Sequence, residues 1–343
     1  MSEGIVAKTR AIWGKRLSAA DYNSLVHRTD LSGVVSYLKT TERYGRLLAN
    51  VNESQVHRGQ VEQMLSKDVF EVYIKLCKFM AADKNSFCYY LVKEKEIKEI
   101  LSAIMHISVK SFDEAINQLP TYLIGYFSFD LMALAQAKTY GELLEVLAQT
   151  PYYKVLKPLL GDGVIGAESF EKCGIALYAY YYGWAFKAIA RSYKGKEASQ
   201  LKELFLRQAD LDNILTAYRM KHYFNASEEA VFKAIKPFHY RLTNIRLAEA
   251  LRAAEPDKEL VKLLEKCYFK GKVQYDENSL EVAVRKYNYN RHFKRQLSMC
   301  SNGTMALVSL MNLLEVERFN LQEIIEGIRY RLAPAEIEKP LVM

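Results

Sequence analysis

The stretch QADLDNILTAYRMKHYF, residues 208–224, places three polar side chains directly before a run of apolar ones. Asp210, Asp212 and Asn213 supply carboxylate and amide oxygens, and the residues after them have the spacing of a buried helix. Such a group of oxygens can bind a cation, form a pair of catalytic carboxylates, or mark a helix start, where acidic side chains are favoured. The position of each side chain on the helix helps to distinguish these three interpretations.

Helical spacing places the Asp210 carboxylate on an apolar face. Residues three, four and seven positions apart share one side of a helix, so Asp210 and Asn213 face the same way as Ile214 and Ala217. An inward carboxylate without partners costs roughly several kcal/mol or takes up a proton. The stretch also lacks the glycine and the distal glutamate of an EF-hand calcium site. We therefore expect Asp210 and Asn213 to be buried and hydrogen-bonded, with backbone N–H donors at this helix start or at a neighbouring helix, and no ion between them.

The same pattern occurs at two more places in the chain. Glu317 and Asn320 repeat the acid and the amide 107 residues further on, and Glu96 opens another copy in which Glu99 replaces the amide. Repetition at three distant positions favours an architectural role, because a reaction usually needs one unique constellation of groups. We interpret the repeated positions as a structural motif that begins the closing helix of each of three repeats. The motif consists of Glu96, Asp210, Asn213, Glu317 and Asn320.

Longer segments support an internal repeat. Residues 130–153 align with residues 247–270 after a shift of 117 positions. A shift of 109 positions brings in the beginning of the chain and places Tyr44 on Tyr153. One unit therefore recurs three times, and each copy has the length of a small domain. We predict three related helical domains over residues 1–112, 113–229 and 230–343.

The composition predicts an all-α protein. Its 343 residues include only seven prolines and sixteen glycines, whereas leucine, alanine, lysine, glutamate and tyrosine are abundant. Helical periodicity, as in residues 31–51, agrees with this prediction. The most apolar stretch, residues 121–137, is short and interrupted by Asp130, so we expect no membrane span. The first residues have no recognisable secretory signal, which predicts a cytoplasmic protein.

Motifs for catalysis or cofactor binding are absent from the sequence. The six histidines and five cysteines do not have zinc-ligand spacing, and the cysteines lie far apart, as expected for reduced side chains. The glycine-rich run GDGVIG at 161–166 lacks the Lys-Ser/Thr of a phosphate-binding loop, and we interpret it as a connection between repeats. We therefore expect no catalytic residue, no cofactor and no metal ion.

A basic and aromatic segment, RKYNYNRHFKR at residues 285–295, is the clearest candidate for a binding surface. Its exposed cations form what we name the basic face: Arg285, Lys286, Arg291, Lys294 and Arg295. Interleaved aromatic and basic residues can bind single-stranded nucleic acid, which makes a helical nucleic-acid-binding or scaffold protein the alternative function. Tyr289 and Phe293 follow helical spacing, however, and we favour aromatic rings that pack inward while the cations face solvent or a partner protein. The net charge of +8 is compatible with an acidic partner, a membrane surface or nucleic acid.

Several runs of residues resemble a known family. These are T-R-A-x-x-G-K-x-L at 9–17, L-K-x-T-x-x-Y at 38–44, D-x-D-N-I-x-x-A-Y-R-x-K at 210–221, and the ending E-V-E-R-F-N-L-Q-E-I-I-E-G-I-R-Y-R-L-A-P-A-E-I-E-K-P-L-V at 315–342. The chain looks like the C subunit of the prokaryotic V-type (A/V-type) ATPases and ATP synthases, a relative of the d subunit of the eukaryotic V-ATPase. The resemblance covers nearly the whole chain.

This resemblance implies three related all-α domains around a pseudo-threefold axis, which form a funnel without catalytic machinery. It implies a central-stalk component that couples the central-axle subunits (D and F type) to the membrane rotor ring, so that ATP hydrolysis or synthesis is linked to H+ or Na+ transport. Such a component is peripheral to the membrane, at its cytoplasmic face, through its contact with the ring. No nucleic acid is expected as a partner.

Overall fold

The computed structural model describes residues 2–161, 167–269 and 280–343, and every regular element in these ranges is a helix. The prediction of an all-α fold is confirmed. None of the described helices is both long and apolar enough to cross a membrane. Five residues of the glycine-rich run, 162–166, lie outside the described ranges, so the interpretation of that run as a connection stays a prediction.

The helices follow one another with short connections. The described ranges contain the α-helices α1 (Ser2–Gly14), α2 (Ala19–Val26), α3 (Leu31–Thr40), α4 (Gly45–Leu48), α5 (Arg58–Phe79), α6 (Tyr90–Val109), α7 (Phe112–Asn117), α8 (Leu131–Gln136), α9 (Tyr140–Val146), α10 (Pro151–Leu160), α11 (Ala167–Ser192), α12 (Gly195–Phe224), α13 (Glu228–Ala234), α14 (Asn244–Arg252), α15 (Pro256–Tyr268), α16 (Leu280–Tyr287), α17 (Lys294–Met299), α18 (Gly303–Arg329) and α19 (Pro334–Glu338). Short 3-10 turns cover Phe87–Tyr89 and Thr121–Leu123, and a π-helical segment, Asn288–Phe293, joins α16 to α17.

Polar side chains fix the starts of several helices. The Ser18 hydroxyl accepts a hydrogen bond from a backbone N–H of α2, and Thr243 and Asn302 do the same for α14 and α18. Asp130 accepts two such bonds at the start of α8. These caps satisfy N–H groups that have no partner inside the first turn, and each stabilises its helix by about 1 kcal/mol.

Contacts along the chain divide it into two units, which we name the first unit (residues 1–82 and 274–343) and the second unit (residues 83–273). The two units group the segments that pack together, so they do not test whether the chain contains three repeats. The division into three related domains over residues 1–112, 113–229 and 230–343 stays a prediction.

The first unit is built around α18, which packs against α1 and α5 and contacts α17. Its apolar core joins side chains from both ends of the chain, because Leu25, Leu38 and Leu65 pack in one cluster with Leu321 and Ile324. All five are at most 1% exposed. Helices α2, α3 and α5 therefore share one core with α18.

The second unit is built around three long helices, α6, α11 and α12, with shorter helices packed against them. An aromatic cluster fills part of its interior. The ring of Phe205 lies 5.0 Å from that of Phe87 and 5.6 Å from that of Tyr90, and Tyr182 completes the group at 6.3 Å. Edge-on contacts of this kind add to the stabilisation from burial.

The stretch 208–224 is not a helix start, and that interpretation was wrong. Helix α12 begins at Gly195, so the stretch forms its second half. Glu317 likewise lies inside α18 rather than at its first turn. Acidic residues suit a helix start because free N–H groups are available there, but these two carboxylates take their N–H donors from other segments of the chain.

Candidate functional site: three buried carboxylates and a basic face

The Asp210 carboxylate is completely buried and accepts four hydrogen bonds. Backbone N–H groups of three consecutive residues donate to it, from Tyr240 at 3.0 Å, Arg241 at 2.7 Å and Leu242 at 2.9 Å. The hydroxyl of Tyr268 donates the fourth bond. Burial, followed by the bond to Asp210, raises the pKa of Tyr268 above its ordinary value, so the phenol keeps its proton and acts as a donor. Asp210 thereby fixes α12 to the segment before α14 and to the end of α15.

Asn213 makes a two-way bridge on the same side of α12. Its side-chain amide donates to the carbonyl of Lys236 at 2.9 Å, and the Lys236 N–H donates back to its Oδ1 at 2.7 Å. The side chain is 1% exposed. We name this arrangement an amide clamp, since it ties the helix to the chain after α13.

Asp212 does not join Asp210 in a shared site. Its carboxylate is about a third exposed and pairs with the ammonium of Lys236. Gln208 donates a further bond to it at 2.8 Å, one turn earlier on the helix. The two carboxylates therefore differ in surroundings and in partners, which argues against a pair that shares a proton or a metal ion.

Glu317 has the same type of environment in the first unit. Its carboxylate, 2% exposed, accepts the Leu17 N–H at 2.9 Å and the Tyr44 hydroxyl at 2.7 Å. The Nε of Arg43 lies 3.1 Å away as an ion pair, although it is not aimed for a hydrogen bond. Burial raises the pKa of Glu317, against the lowering effect of Arg43 and Tyr44. Glu317 fixes α18 to the chain before α2 and after α3.

Asn320 forms the second amide clamp. It donates to the carbonyl of Val342 at 2.8 Å and accepts the Val342 N–H at 2.9 Å. Asn320 and Val342 are 22 positions apart in the sequence, and Asn213 and Lys236 are 23 apart. The two clamps are therefore alike in chemistry and in spacing.

Glu96 is the third buried carboxylate, at 1% exposure. It accepts the Ser128 N–H at 2.5 Å and the Tyr152 hydroxyl at 2.6 Å, and the ammonium of Lys93 lies 2.8 Å away. Glu99, three residues on, is only partly buried, and burial raises its pKa. Among the described residues no amide clamp forms at that position, since a carboxylate cannot donate the N–H bonds that Asn213 and Asn320 supply.

The three sites share one design, and we name Glu96, Asp210 and Glu317 the carboxylate anchors. Each lies on a long helix, and two kinds of donor are common to all three: a backbone N–H shortly before the N-cap of a short helix, and a tyrosine hydroxyl. The tyrosines are Tyr152, Tyr268 and Tyr44 respectively. The alignment that placed Tyr44 on Tyr153 was wrong by one residue, because Tyr152 makes the equivalent bond. Sequence reasoning had aligned Tyr44 but had not predicted a bond from any of these tyrosines to an acid, although each follows its N–H donor by about 25 positions.

The anchors leave no carboxylate free for other chemistry. Their oxygens are occupied by N–H and O–H donors that belong to the fold. Within the described ranges, no group of three or more His, Cys, Asp or Glu side chains is placed to hold a metal ion. The motif therefore holds helices together and offers no opening to a substrate.

The basic face is divided between exposed and packed cations. Arg291 and Arg295 are exposed, as is Lys286, whose ammonium lies 3.5 Å from the carbonyl of Lys339. Arg285 stacks over the ring of Phe319 at 3.9 Å. The ammonium of Lys294 lies 5.0 Å from the centre of the Tyr289 ring. Four of the five cations thus also contact the protein itself, because the Arg295 Nε lies 3.4 Å from the Met299 sulfur.

Two aromatic rings of this segment, those of Tyr289 and Phe293, are turned inward. Tyr289 and Phe293 are 8% and 6% exposed, and Tyr289 meets the ring of Trp13 edge-on at 6.0 Å. Base stacking requires an exposed ring face. These two rings cannot offer one, which weighs against the alternative function in nucleic-acid binding.

A groove of about 550 Å³ extends the basic face across the first unit. Arg10 and Trp13 of α1, with Arg16 just after that helix, line one side, and Lys294 and Arg295 line the other. Arg10 is anchored there, because its guanidinium donates to the carbonyls at the end of α17, at 2.7–3.0 Å. Sequence reasoning missed Arg10 and Arg16 as part of this surface, since they are nearly 300 residues away from the other cations.

Fold and site together define a class of protein: an all-helical subunit whose buried polar groups serve architecture. The chain belongs to the ATP synthase (C/AC39) subunit family, whose model matches residues 5–339. The predicted family is confirmed. Members of this family are non-catalytic subunits of the ATP synthase complex, so the chain is a non-catalytic subunit of a rotary ATPase.

Individual relatives agree with this assignment. The chain is similar to the C subunit of the A-type ATP synthase of Thermococcus onnurineus (strain NA1), at 27% identity over 85% of this chain and 75% of the relative. The protein of the same name from Methanocaldococcus jannaschii is 24% identical over 98% of this chain and 85% of its own length. The similarity therefore extends over nearly the whole sequence.

Proposed function

We propose that this chain is the socket of a rotary ATPase, which couples the central-axle subunits (D and F type) to the membrane rotor ring. In this role it lies at the cytoplasmic face of the membrane, peripheral to it through the ring. It links ATP hydrolysis or synthesis to the transport of H+ or Na+. Membership of the family, and relatives named as C subunits of A-type ATP synthases, support this proposal.

The three carboxylate anchors are the observation that carries the proposal. A part that transmits torque must resist shear between its helices. Each anchor joins a long helix to a separate segment through bonds to a carboxylate, which are about twice as strong as bonds between neutral groups. Since the anchors are buried, water cannot replace their donors without local unfolding.

The anchors also support three related repeats. The same pair of donors, a backbone N–H and a tyrosine hydroxyl, meets the acid of each long helix. For Glu96 and Asp210 the donors follow the acid in the sequence, whereas for Glu317 they come from Leu17 and Tyr44. The acid of the last long helix therefore takes its donors from the beginning of the chain.

The basic face, together with the groove beside it, is our candidate partner surface. Cations next to a membrane gain from the negative potential of anionic headgroups, by about 1 kcal/mol for each side chain near the surface. We therefore assign Arg285, Lys286, Arg291, Lys294 and Arg295 to the side that lies near the ring and its surrounding lipid.

Purification of the tagged chain from its own cells tests the proposal. The axle subunits and the ring should copurify with it, and the pure chain should not hydrolyse ATP. A stable ATPase activity of the isolated chain, or a purified complex without both axle and ring, contradicts the proposed function. The variant Asp212→Ala serves as a control, because Asp212 is partly exposed and should leave copurification unchanged.

A further inference from the structure

The three anchored helices end in the same way. Each is followed by a residue with left-handed backbone geometry: Lys110 after α6, Asn225 after α12 and Arg331 after α18, with φ of 58°, 44° and 55°. Immediately before that residue stands a large apolar side chain. These side chains are Val109, Phe224 and Tyr330.

These three side chains occupy equivalent positions. Val109 and Tyr330 come 13 residues after Glu96 and Glu317, and Phe224 comes 14 residues after Asp210. Their equivalence therefore rests on two independent features, the distance from the anchor and the left-handed residue that follows.

All three side chains are exposed, at 63% for Val109, 79% for Phe224 and 65% for Tyr330. A single exposed apolar residue is ordinary in a folded protein. Exposure of an apolar side chain at the same position of three related helices is not explained by packing, because a side chain in water contributes nothing to the core. The three ends offer the same contact to something outside their own unit.

The charge around these ends points to the chemistry of the partner. Within three positions of each apolar residue there is at least one Lys or Arg and no Asp or Glu. The nearest cations in sequence are Lys110, Lys221 and Arg331, together with Arg329, which pairs with Glu326 one turn earlier on α18. A matching partner therefore offers an apolar pocket with acidic groups at its rim.

We propose that Val109, Phe224 and Tyr330 are contact residues for the membrane rotor ring, each inserting into an apolar, acid-rimmed pocket between or on ring subunits. The assignment rests on the proposed function. Repetition selects the ring over the axle, because a ring of identical subunits presents the same pocket many times, whereas an axle presents each pocket once. Each end contributes its own contact.

A triple variant tests this assignment. Full-length chain carrying Val109→Ser, Phe224→Ser and Tyr330→Ser is titrated against detergent-solubilised ring and, separately, against the axle subunits. Burial of one large apolar side chain corresponds to about tenfold in affinity, so loss of all three should weaken ring binding on the order of a thousandfold. Axle affinity and Tm should stay unchanged.

The matched control carries Ile124→Ser, Ile245→Ser and Phe79→Ser. These side chains are also exposed, at 48%, 72% and 46%, and are divided between the two units as the test residues are. Phe79 ends a helix before a left-handed residue, Ala81, but that helix has no carboxylate anchor. The control should bind the ring within about twofold of the wild-type affinity.

The possible results separate the two proposals. Equal ring binding by the wild type and the test variant overturns the contact assignment and leaves the proposed function intact. The contact assignment is also overturned if the test variant loses binding to the axle but keeps binding to the ring. It is overturned as well if the test variant loses binding only to vesicles of anionic phospholipid. A wild-type chain that binds neither ring nor axle overturns the proposed function and this inference together.

Discussion

At the scale of single residues, Asp210 shows how a buried carboxyl group is accommodated in this protein. Three N–H groups and one hydroxyl converge on its two oxygens, so both oxygens have hydrogen-bond donors after burial. Removing the carboxylate leaves those donors buried without an acceptor. The cost of a buried, unsatisfied donor exceeds the net gain from the bond that was lost.

We therefore expect Asp210→Ala to lower the free energy of unfolding by about 3 kcal/mol or more. Asp212→Ala is the matched control, two positions away on the same helix. It should cost about 1 kcal/mol or less, because it removes a partly exposed ion pair. Urea unfolding of both variants measures the difference. Equal losses in the two variants would show that Asp210 is not an anchor.

Glu317 should make stability depend on pH. Burial raises its pKa above the ordinary value of 4.5, so the folded state holds this proton at a pH where the unfolded state has lost it. Its contribution to stability is therefore fully present below pH 4.5 and falls as pH rises through the raised pKa. Tyr44, the Leu17 N–H and Arg43 face the carboxyl, and Asp68 shares the guanidinium of Arg43.

The variant Glu317→Gln removes this titration. Its free energy of unfolding, relative to that of the wild type, should increase as pH rises from 4.5 through the raised pKa. Other carboxyl groups titrate in the same range, but they contribute to both proteins and cancel in the difference. A difference that stays constant between pH 4 and pH 7, roughly the range in which a raised Glu pKa falls, would contradict the assignment.

At the scale of helices, sequence periodicity predicted which side of α12 faces inward. Asp210, Asn213, Ile214 and Ala217 share one face, and all four are at most 1% exposed. Periodicity cannot identify the partners of a buried group, however, because Tyr240 to Leu242 are 30 or more residues away and carry no matching pattern. For the same reason the helix start was misplaced, since an acid that binds a distant N–H looks the same in sequence as one that caps its own helix.

The amide clamp at Asn320 should hold residues 340–343. Asn320→Ala removes both bonds to Val342, and the amide hydrogen of Val342 should then exchange with solvent faster, by at least about tenfold. Asn312→Ala is a control on the same helix, because Asn312 bonds only to the carbonyl of Val308, one turn earlier. Unchanged exchange at Val342 in the Asn320 variant would contradict the clamp.

The basic face is also a feature of helices, because its cations lie on three consecutive helical segments. Neutralising Arg291, Lys294 and Arg295 to Gln should weaken binding to vesicles of anionic phospholipid by about 1 kcal/mol for each cation, and should reduce its dependence on salt. The control neutralises Lys67, Lys75 and Lys78 of α5, which removes the same charge from another helix of the first unit. Equal losses of vesicle affinity in the two variants would show that net charge, and not the basic face, determines binding.

At the scale of the whole molecule, composition and periodicity were sufficient for the fold class, and short motifs were sufficient for the family. Both are properties of residues that lie close together in the sequence. The alignment of repeats was less accurate, because it matched Tyr44 with Tyr153, whereas Tyr152 makes the equivalent bond. An alignment with few identities cannot distinguish two registers that differ by one residue. The groove formed with Arg10 and Arg16 needed the structure, because packing alone brings α1 to α17.

Coupling is the property that distinguishes a socket from any other helical component. Under the proposed function, an axle that turns without this chain passes no torque to the ring, so ATP hydrolysis continues while ion movement stops. The three buried anchors suit a part that transmits force.

The most direct measurement is ATP-driven ion uptake by membrane vesicles that contain the rotary ATPase with and without this chain. We predict that removal of the chain abolishes H+ or Na+ uptake while ATP hydrolysis by the released head and axle persists, and that added wild-type chain restores uptake. Ion uptake that continues at the wild-type ratio to hydrolysis in vesicles without the chain would contradict the proposed function.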